Sequence, residues 1–143
     1  MLIELKKFKS YPRLSEETTA FNAELWIDGK KAADVENDGK GGCNREGFTD
    51  RDLQKKFHDH CKSLPPDKSE YGDLAMDSDL FISLLVAKME LQSQIDKWKK
   101  KEVVFKTPDL AKNQFSRIKI AANDSREAVE QYVRTKYPTA TIL

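Results

Sequence analysis

The residues best suited to chemistry begin with a glycine-rich stretch, Asp38-Gly39-Lys40-Gly41-Gly42. Clustered glycines allow successive backbone N–H groups to converge on an anion, and Lys40 and Arg45 would add positive charge. A helix beginning near residue 50 would add the dipole of its N-terminus. The spacing matches neither a Walker A motif nor Gly-x-Gly-x-x-Gly. The stretch predicts either a loop that contacts a ligand or partner, or a bulged connection that needs glycine for geometry alone.

Two histidines and two cysteines are the candidates for metal binding and nucleophilic catalysis. His58 and His60 would lie about 200° apart on a helix, so they cannot share an ion. His58 and Cys61, at i and i+3, could bind one ion with Cys43 as third ligand, which would suit a small metal-dependent enzyme. The alternative is a buried Cys61 beside two surface histidines. A Cys43–His58 dyad is also open, but the simplest expectation is no bound metal, no cofactor and no catalytic group.

A basic stretch runs from residue 97 to residue 119, with eight lysines and arginines against two acids and a local net charge of +6. Trp98, Phe105 and Phe115 are interleaved with these cations, a combination typical of nucleic-acid-binding surfaces. The alternative is a solvated helix end with outward-facing lysines and core aromatics. The residues that would contact nucleic acid are Lys99, Lys100, Lys101, Lys106, Arg117 and Lys119.

These residues must be positioned by an α+β fold. Residues 19–28 alternate between apolar and polar side chains, which predicts a strand with one buried face. Asp28-Gly29 follows directly and predicts a type I′ hairpin turn, so residues 2–37 are expected to form a three-stranded antiparallel meander. Trp26 falls among the polar positions. It is therefore either an exposed anchor for a protein partner or a side chain covered by another part of the chain.

Two helical segments follow the meander. A helix capped by Thr49 or Asp50 carries an apolar stripe that includes Phe57 and Cys61. Residues 67–78 are acidic and are expected to form a mobile linker. The next helix, from about Ser78 to residue 101, is apolar on most sides in its first half, which predicts that this half is the centre of the fold.

The last third of the chain reads as strand, strand, helix, strand, with the capping pattern Asp124-x-x-Glu127 opening the helix. The expected order is β-β-β-α-α-β-β-α-β. Together these elements predict one α+β domain over residues 1–143, with antiparallel strands packed against about three helices.

Length and composition limit the class of protein. The chain has 143 residues, with 25 lysines and arginines against 24 acids, so its net charge of +1 excludes polyanion binding driven by bulk charge. Seven Phe, four Tyr and two Trp are too many for a disordered chain. The N-terminus lacks the apolar core of a signal peptide, and two cysteines without a Cys-x-x-Cys motif suit a reducing compartment. We expect a cytoplasmic protein that does not bind membranes.

Two stretches resemble a group of short uncharacterised proteins of phages and mobile elements. The first is the hairpin over residues 17–31 followed by Asn37-Asp38-Gly39-x-Gly41-Gly42, and the second is Tyr137-Pro138-Thr139-Ala140-Thr141-Ile142-Leu143 together with residues 104–109. The resemblance brings no established activity and no functional residues. It implies a small accessory protein of a mobile element, of a kind that often blocks a host defence complex or sequesters a signal.

The leading hypothesis is therefore a non-enzymatic binding protein, such as an anti-defence factor, that binds a host protein or captures a small anionic ligand. The residues expected to contact the ligand or partner are Asp38, Gly39, Lys40, Gly41, Gly42, Arg45 and Trp26. Nucleic-acid binding through the basic stretch and a metal-dependent enzyme around His58 and Cys61 remain as alternatives.

Overall fold

A computed structural model describes all residues from 1 to 143. The chain divides into two compact units, Met1–Glu90 and Leu91–Leu143. One long helix contributes its first part to the first unit and its last part to the second. The α+β class and the antiparallel sheets expected from the sequence are confirmed. That the chain is a single domain stays a prediction.

The first unit is built on a four-stranded antiparallel sheet in the order β1-β2-β3-β4. Its strands are β1 (Ile3–Ser10), β2 (Phe21–Ile27), β3 (Lys30–Asn37) and β4 (Arg45–Phe48). Asp28 and Gly29 both have positive φ, at 50° and 81°, which confirms the expected turn between β2 and β3. The expected meander had three strands, and β4 was missed because its four residues include only one large apolar side chain.

Two helices cover the apolar face of this sheet. They are α1 (Arg51–Lys62) and α2 (Ser78–Lys99). The alternating apolar residues of β2 are buried, as expected, against Phe57 and Cys61 of α1 and Ile82 and Val86 of α2. Asp50 is the N-cap of α1, because its carboxylate accepts hydrogen bonds from the N–H groups of residues 52 and 53.

The first half of α2 is less buried than its composition predicts. Only Ile82 and Val86 are buried there, and Leu84 is 38% exposed. Between the helices, the acidic segment expected as a linker contains a two-stranded hairpin of β5 (Asp67–Ser69) and β6 (Gly72–Leu74). No helix in the chain is long and apolar enough to cross a membrane.

The second unit has a three-stranded antiparallel sheet in the order β8-β7-β9 with one helix against it. The elements are β7 (Glu102–Lys106), β8 (Ser116–Lys119), α3 (Arg126–Lys136) and β9 (Thr141–Ile142). Val103 and Phe105 of β7 pack with Val129 and Val133 of α3. Ser125 rather than Asp124 caps α3, because its hydroxyl accepts a hydrogen bond from the N–H of residue 128.

Candidate functional site

The glycine-rich loop, residues 38–44, is held by the buried side chain of Asn37. Its Oδ1 accepts hydrogen bonds from Thr18 Oγ1 at 2.7 Å and from Gly39 N at 2.8 Å. Its Nδ2 donates to Gly42 O and to Asn44 Oδ1, both at 3.0 Å. One amide therefore ties the end of β3 to both halves of the loop.

A second set of hydrogen bonds ties the loop to α2. Asn44 donates from its backbone N to Asp79 Oδ1 at 2.7 Å, and its Nδ2 donates to Asp79 O and to Ser83 Oγ. Both partners lie in the first two turns of α2. The loop is thus fixed against that helix by side chains that the sequence does not place near one another.

Four of the seven peptide N–H groups of the glycine-rich loop are already engaged. The N–H groups of Gly39, Lys40, Gly41 and Asn44 donate to side-chain oxygens of the protein. The Gly39 carbonyl in turn accepts from three successive N–H groups, those of residues 16, 17 and 18, at 3.0, 3.0 and 3.3 Å. These N–H groups converge on a carbonyl of the protein itself, so the loop is a poor cradle for an external anion.

Two glycines are required for this arrangement. Gly39 has a φ of +83°, and a Cβ there would lie 2.3 Å from the backbone oxygen of Leu14. Gly41 has a φ of +90°, and a Cβ there would lie 2.3 Å from Glu17 Oε2. Gly42 has open space around it. Gly39 therefore serves the fold, whereas Gly41 makes room for a carboxylate at the loop.

A cleft of about 580 Å³ opens beside the loop, entirely within the first unit. Phe21, Val86 and Ala87 are its apolar lining residues, Gly41 and Gly42 contribute backbone, and the other lining residues carry hydroxyl, amide, thiol or carboxylate groups. The polar lining residues are Ser15, Glu16, Glu17, Thr18, Thr19, Asn37, Cys43, Asn44, Asp79 and Ser83. A cleft of this size suits a small ligand or an inserted side chain.

The cleft is acidic. Glu16, Glu17 and Asp79 line it, and no lysine, arginine or histidine does. None of these three carboxylates takes part in an ion pair of the protein. Charge complementarity therefore favours a cationic or hydrogen-bond-donating guest over an anion.

The cations expected at this site lie outside the cleft. Lys40 is exposed and does not line it. Arg45 pairs with Glu36 and with Asp38, both at 3.5 Å, and borders a separate depression on the sheet. Of the loop residues named from the sequence, Gly41 and Gly42 line the cleft.

Trp26 lies on the face of the sheet opposite the core, and it is partly covered. Lys6 Nζ lies 4.0 Å from the centroid of its ring, and its Nε1 donates to Glu24 Oε1 at 3.3 Å. Hydrogen bonding by Lys31 and by Trp26 holds the pKa of Glu24 below its ordinary value. Trp26 thus packs among charged side chains on the outer face of the sheet and does not line the cleft.

The residues considered for metal binding do not share one site, because each has different surroundings. His58 Nε2 lies 2.7 Å from Glu46 Oε1, and Ser78 Oγ donates to Glu46 Oε2 at 2.8 Å. Cys61 is buried in the core, and this burial raises the pKa of its thiol to about 11. Cys43 is exposed at the cleft. No group of three or more His, Cys, Asp and Glu residues is placed to hold a metal ion.

The basic residues named from the sequence all belong to the second unit. Lys100, Lys101, Arg117 and Lys119 are exposed and Lys99 is half-buried. Lys106 Nζ donates to the carbonyl oxygens of residues 111 and 112, so it orders its own loop.

Comparison with known proteins found no family model, no curated protein and no solved structure that matches the chain. The resemblance to proteins of mobile elements stays a prediction.

Sequence reasoning missed the acidic residues of the cleft. Glu16 and Glu17 lie in a segment that reads as a simple connection, and Asp79 reads as an ordinary acid in the first turn of a helix. The signal that could have found them is the pair of adjacent acids in a short link beside a glycine-rich loop. It is weak, because surface connections are commonly acidic.

Proposed function

We propose that this chain is a non-enzymatic binding protein whose site is the acidic cleft beside the glycine-rich loop. Its guest is an ammonium or guanidinium group on an apolar stem. The observation that carries the proposal is the lining of the cleft, which combines three carboxylates with apolar surface and contains no cation. An alkyl stem would lie against Ala87, the exposed apolar residue of the lining, and the charged end would meet Glu17 and Asp79.

Two sources could supply such a guest. One is a free aliphatic amine, and the other is a lysine or arginine side chain of a partner protein. The second source agrees with the expected role of an accessory protein of a phage or mobile element that binds a host protein. The anionic ligand expected from the sequence is the competing hypothesis, because Lys40 lies in the loop and Arg45 directly follows it, although both are outside the cleft.

Binding of small probes to the full-length protein tests this proposal. The probes are 1,5-diaminopentane, N-acetyl-lysine methylamide, the uncharged norleucine analogue and inorganic phosphate, each titrated by calorimetry or NMR. We expect both amines to bind and the norleucine analogue and phosphate not to bind. Stronger binding of the diamine would indicate a free amine, and stronger binding of the lysine amide would indicate a partner side chain.

Glu17→Gln is the variant that tests the cleft. An exposed ion pair contributes about 0.2–1 kcal/mol, so losing it weakens binding by up to about fivefold. Glu70→Gln is the matched control, because Glu70 is exposed, lies in the same unit and does not line the cleft. Equal effects of the two variants, or binding of phosphate in preference to both amines, would contradict the proposal.

A further inference from the structure

The two units carry opposite charges, which the overall net charge of +1 conceals. Residues 1–90 contain 14 lysines and arginines against 18 acids, a net charge of −4. Residues 91–143 contain 11 against 6, a net charge of +5. The second unit therefore has an electrostatic character of its own, independent of the acidic cleft.

The fold gathers cations from two separate stretches of the second unit. Lys99 is the last residue of α2, and Lys100 and Lys101 form the turn between α2 and β7. Ile120 N donates to Lys101 O at 3.0 Å. This hydrogen bond places the turn at the end of β8, the strand that carries Arg117 and Lys119. We call these five cations the basic face.

The turn itself is fixed by the guanidinium of Arg126. Its Nη1 donates to Glu102 O at 3.2 Å, and its Nη2 donates to Lys99 O. Arg126 therefore holds the backbone on both sides of the turn, and the lysines of the turn project from ordered backbone. A site on ordered backbone loses less conformational entropy on binding than one on a mobile tail.

Arg117 forms a flat platform within the basic face. The centre of its guanidinium lies 4.2 Å from the centroid of the Trp98 ring, and its Nη1 lies 3.2 Å from Glu102 Oε2. Its side chain is 42% exposed. A partly exposed guanidinium beside an aromatic ring is a planar group on which a nucleobase can stack.

From this arrangement we propose that the basic face binds single-stranded nucleic acid, with phosphates at its lysines and a base stacked on Arg117. The composition of the surface favours nucleic acid over an anionic membrane. The large exposed apolar side chains of the second unit are Tyr132 and Leu143, and neither belongs to the basic face. A membrane-binding face would combine its cations with such apolar anchors.

Fluorescence anisotropy with a labelled 20-nucleotide poly(dT) strand tests the proposal on the full-length protein. With three to five phosphate contacts, the dissociation constant is expected to rise about 20- to 130-fold between ~50 and ~200 mM salt. An unchanged dissociation constant over this range would overturn the proposal. So would equal or tighter binding of a duplex of the same length, or binding to phosphatidylserine vesicles but not to the strand.

Two sets of variants locate the site. Lys100→Gln with Lys101→Gln should lower the magnitude of the salt slope by about 1.4, because each single-strand phosphate contact contributes about 0.7. The matched control is Lys30→Gln with Lys68→Gln, which removes the same charge from exposed residues of the first unit. A control that weakens binding as much as the test pair would overturn the assignment to the basic face.

Arg117→Lys separates stacking from charge. The substitution retains the positive charge but removes the planar group, so affinity should fall severalfold while the salt slope stays the same. In a Trp26→Phe background, fluorescence reports Trp98 alone, and the strand should quench it. Unaltered fluorescence at saturation, or full affinity of Arg117→Lys, would overturn the stacking contact.

Discussion

Replacing Asn37 is expected to destabilise the first unit more than any other change of a single polar side chain in it. Asn37 is 8% exposed and makes four hydrogen bonds, to Thr18, Gly39, Gly42 and Asn44. A hydrogen bond contributes about 1 kcal/mol net, and some of the groups left behind can reach water. Asn37→Ala should therefore lower the free energy of unfolding by about 2–4 kcal/mol.

Urea unfolding followed by circular dichroism and by tryptophan fluorescence measures this loss. Thr18→Val removes one of these four hydrogen bonds, and also the longer one that Thr18 Oγ1 accepts from Gly41 N, with little change in shape; it should cost about 1–2 kcal/mol. Asn113→Ala is the control, because Asn113 is exposed and makes no side-chain hydrogen bond, and it should change stability by less than ~0.5 kcal/mol. If Asn37→Ala unfolds at the same urea concentration as Asn113→Ala, then Asn37 does not hold the loop.

Two further results should follow from the same structure. Gly39→Ala should destabilise the protein by about 1–3 kcal/mol because of positive φ and contact with the backbone of Leu14, whereas Gly42→Ala should change it by less than ~0.5 kcal/mol; equal urea midpoints would contradict the loop geometry. Burial raises the pKa of Cys61 from 9.0 to about 11, so the folded thiol keeps a proton that the unfolded thiol loses between these values. Stability should therefore fall by up to about 3 kcal/mol as pH rises from 9 to 11, and a Cys61→Ala variant with the same decline would show that other groups cause it.

The meander and its turn follow directly from the sequence, because alternation with a period of two and an Asp-Gly pair are local signals. The stripe containing Phe57 and Cys61 is equally local, and both residues are buried as expected. Strand β4 is different. It pairs with β3, with Gly47 opposite Asp34, and Phe48 packs against the core; neither contact has a local signal in the sequence.

The glycine-rich loop shows why a site is harder to infer than a strand. Its glycines indicate an unusual backbone, and two of them have positive φ. The charge of its surroundings depends on Glu17, which precedes the loop by some twenty residues, and on Asp79, which follows it by about forty. Hydrogen bonds from the N–H groups of residues 16–18 to the Gly39 carbonyl bring Glu17 beside the loop, and no local sequence pattern predicts them.

Amide chemical-shift mapping of the full-length protein with 1,5-diaminopentane tests the proposed cleft most directly. We expect the amides of residues 16–19 and 41–44 to shift in a saturable way, and we expect Glu17→Gln to weaken the response while Glu70→Gln does not. The same amides should stay in place when phosphate is added. Shifts confined to residues 91–143, or shifts at the loop with phosphate and not with the diamine, would contradict the proposal of a cation-binding cleft.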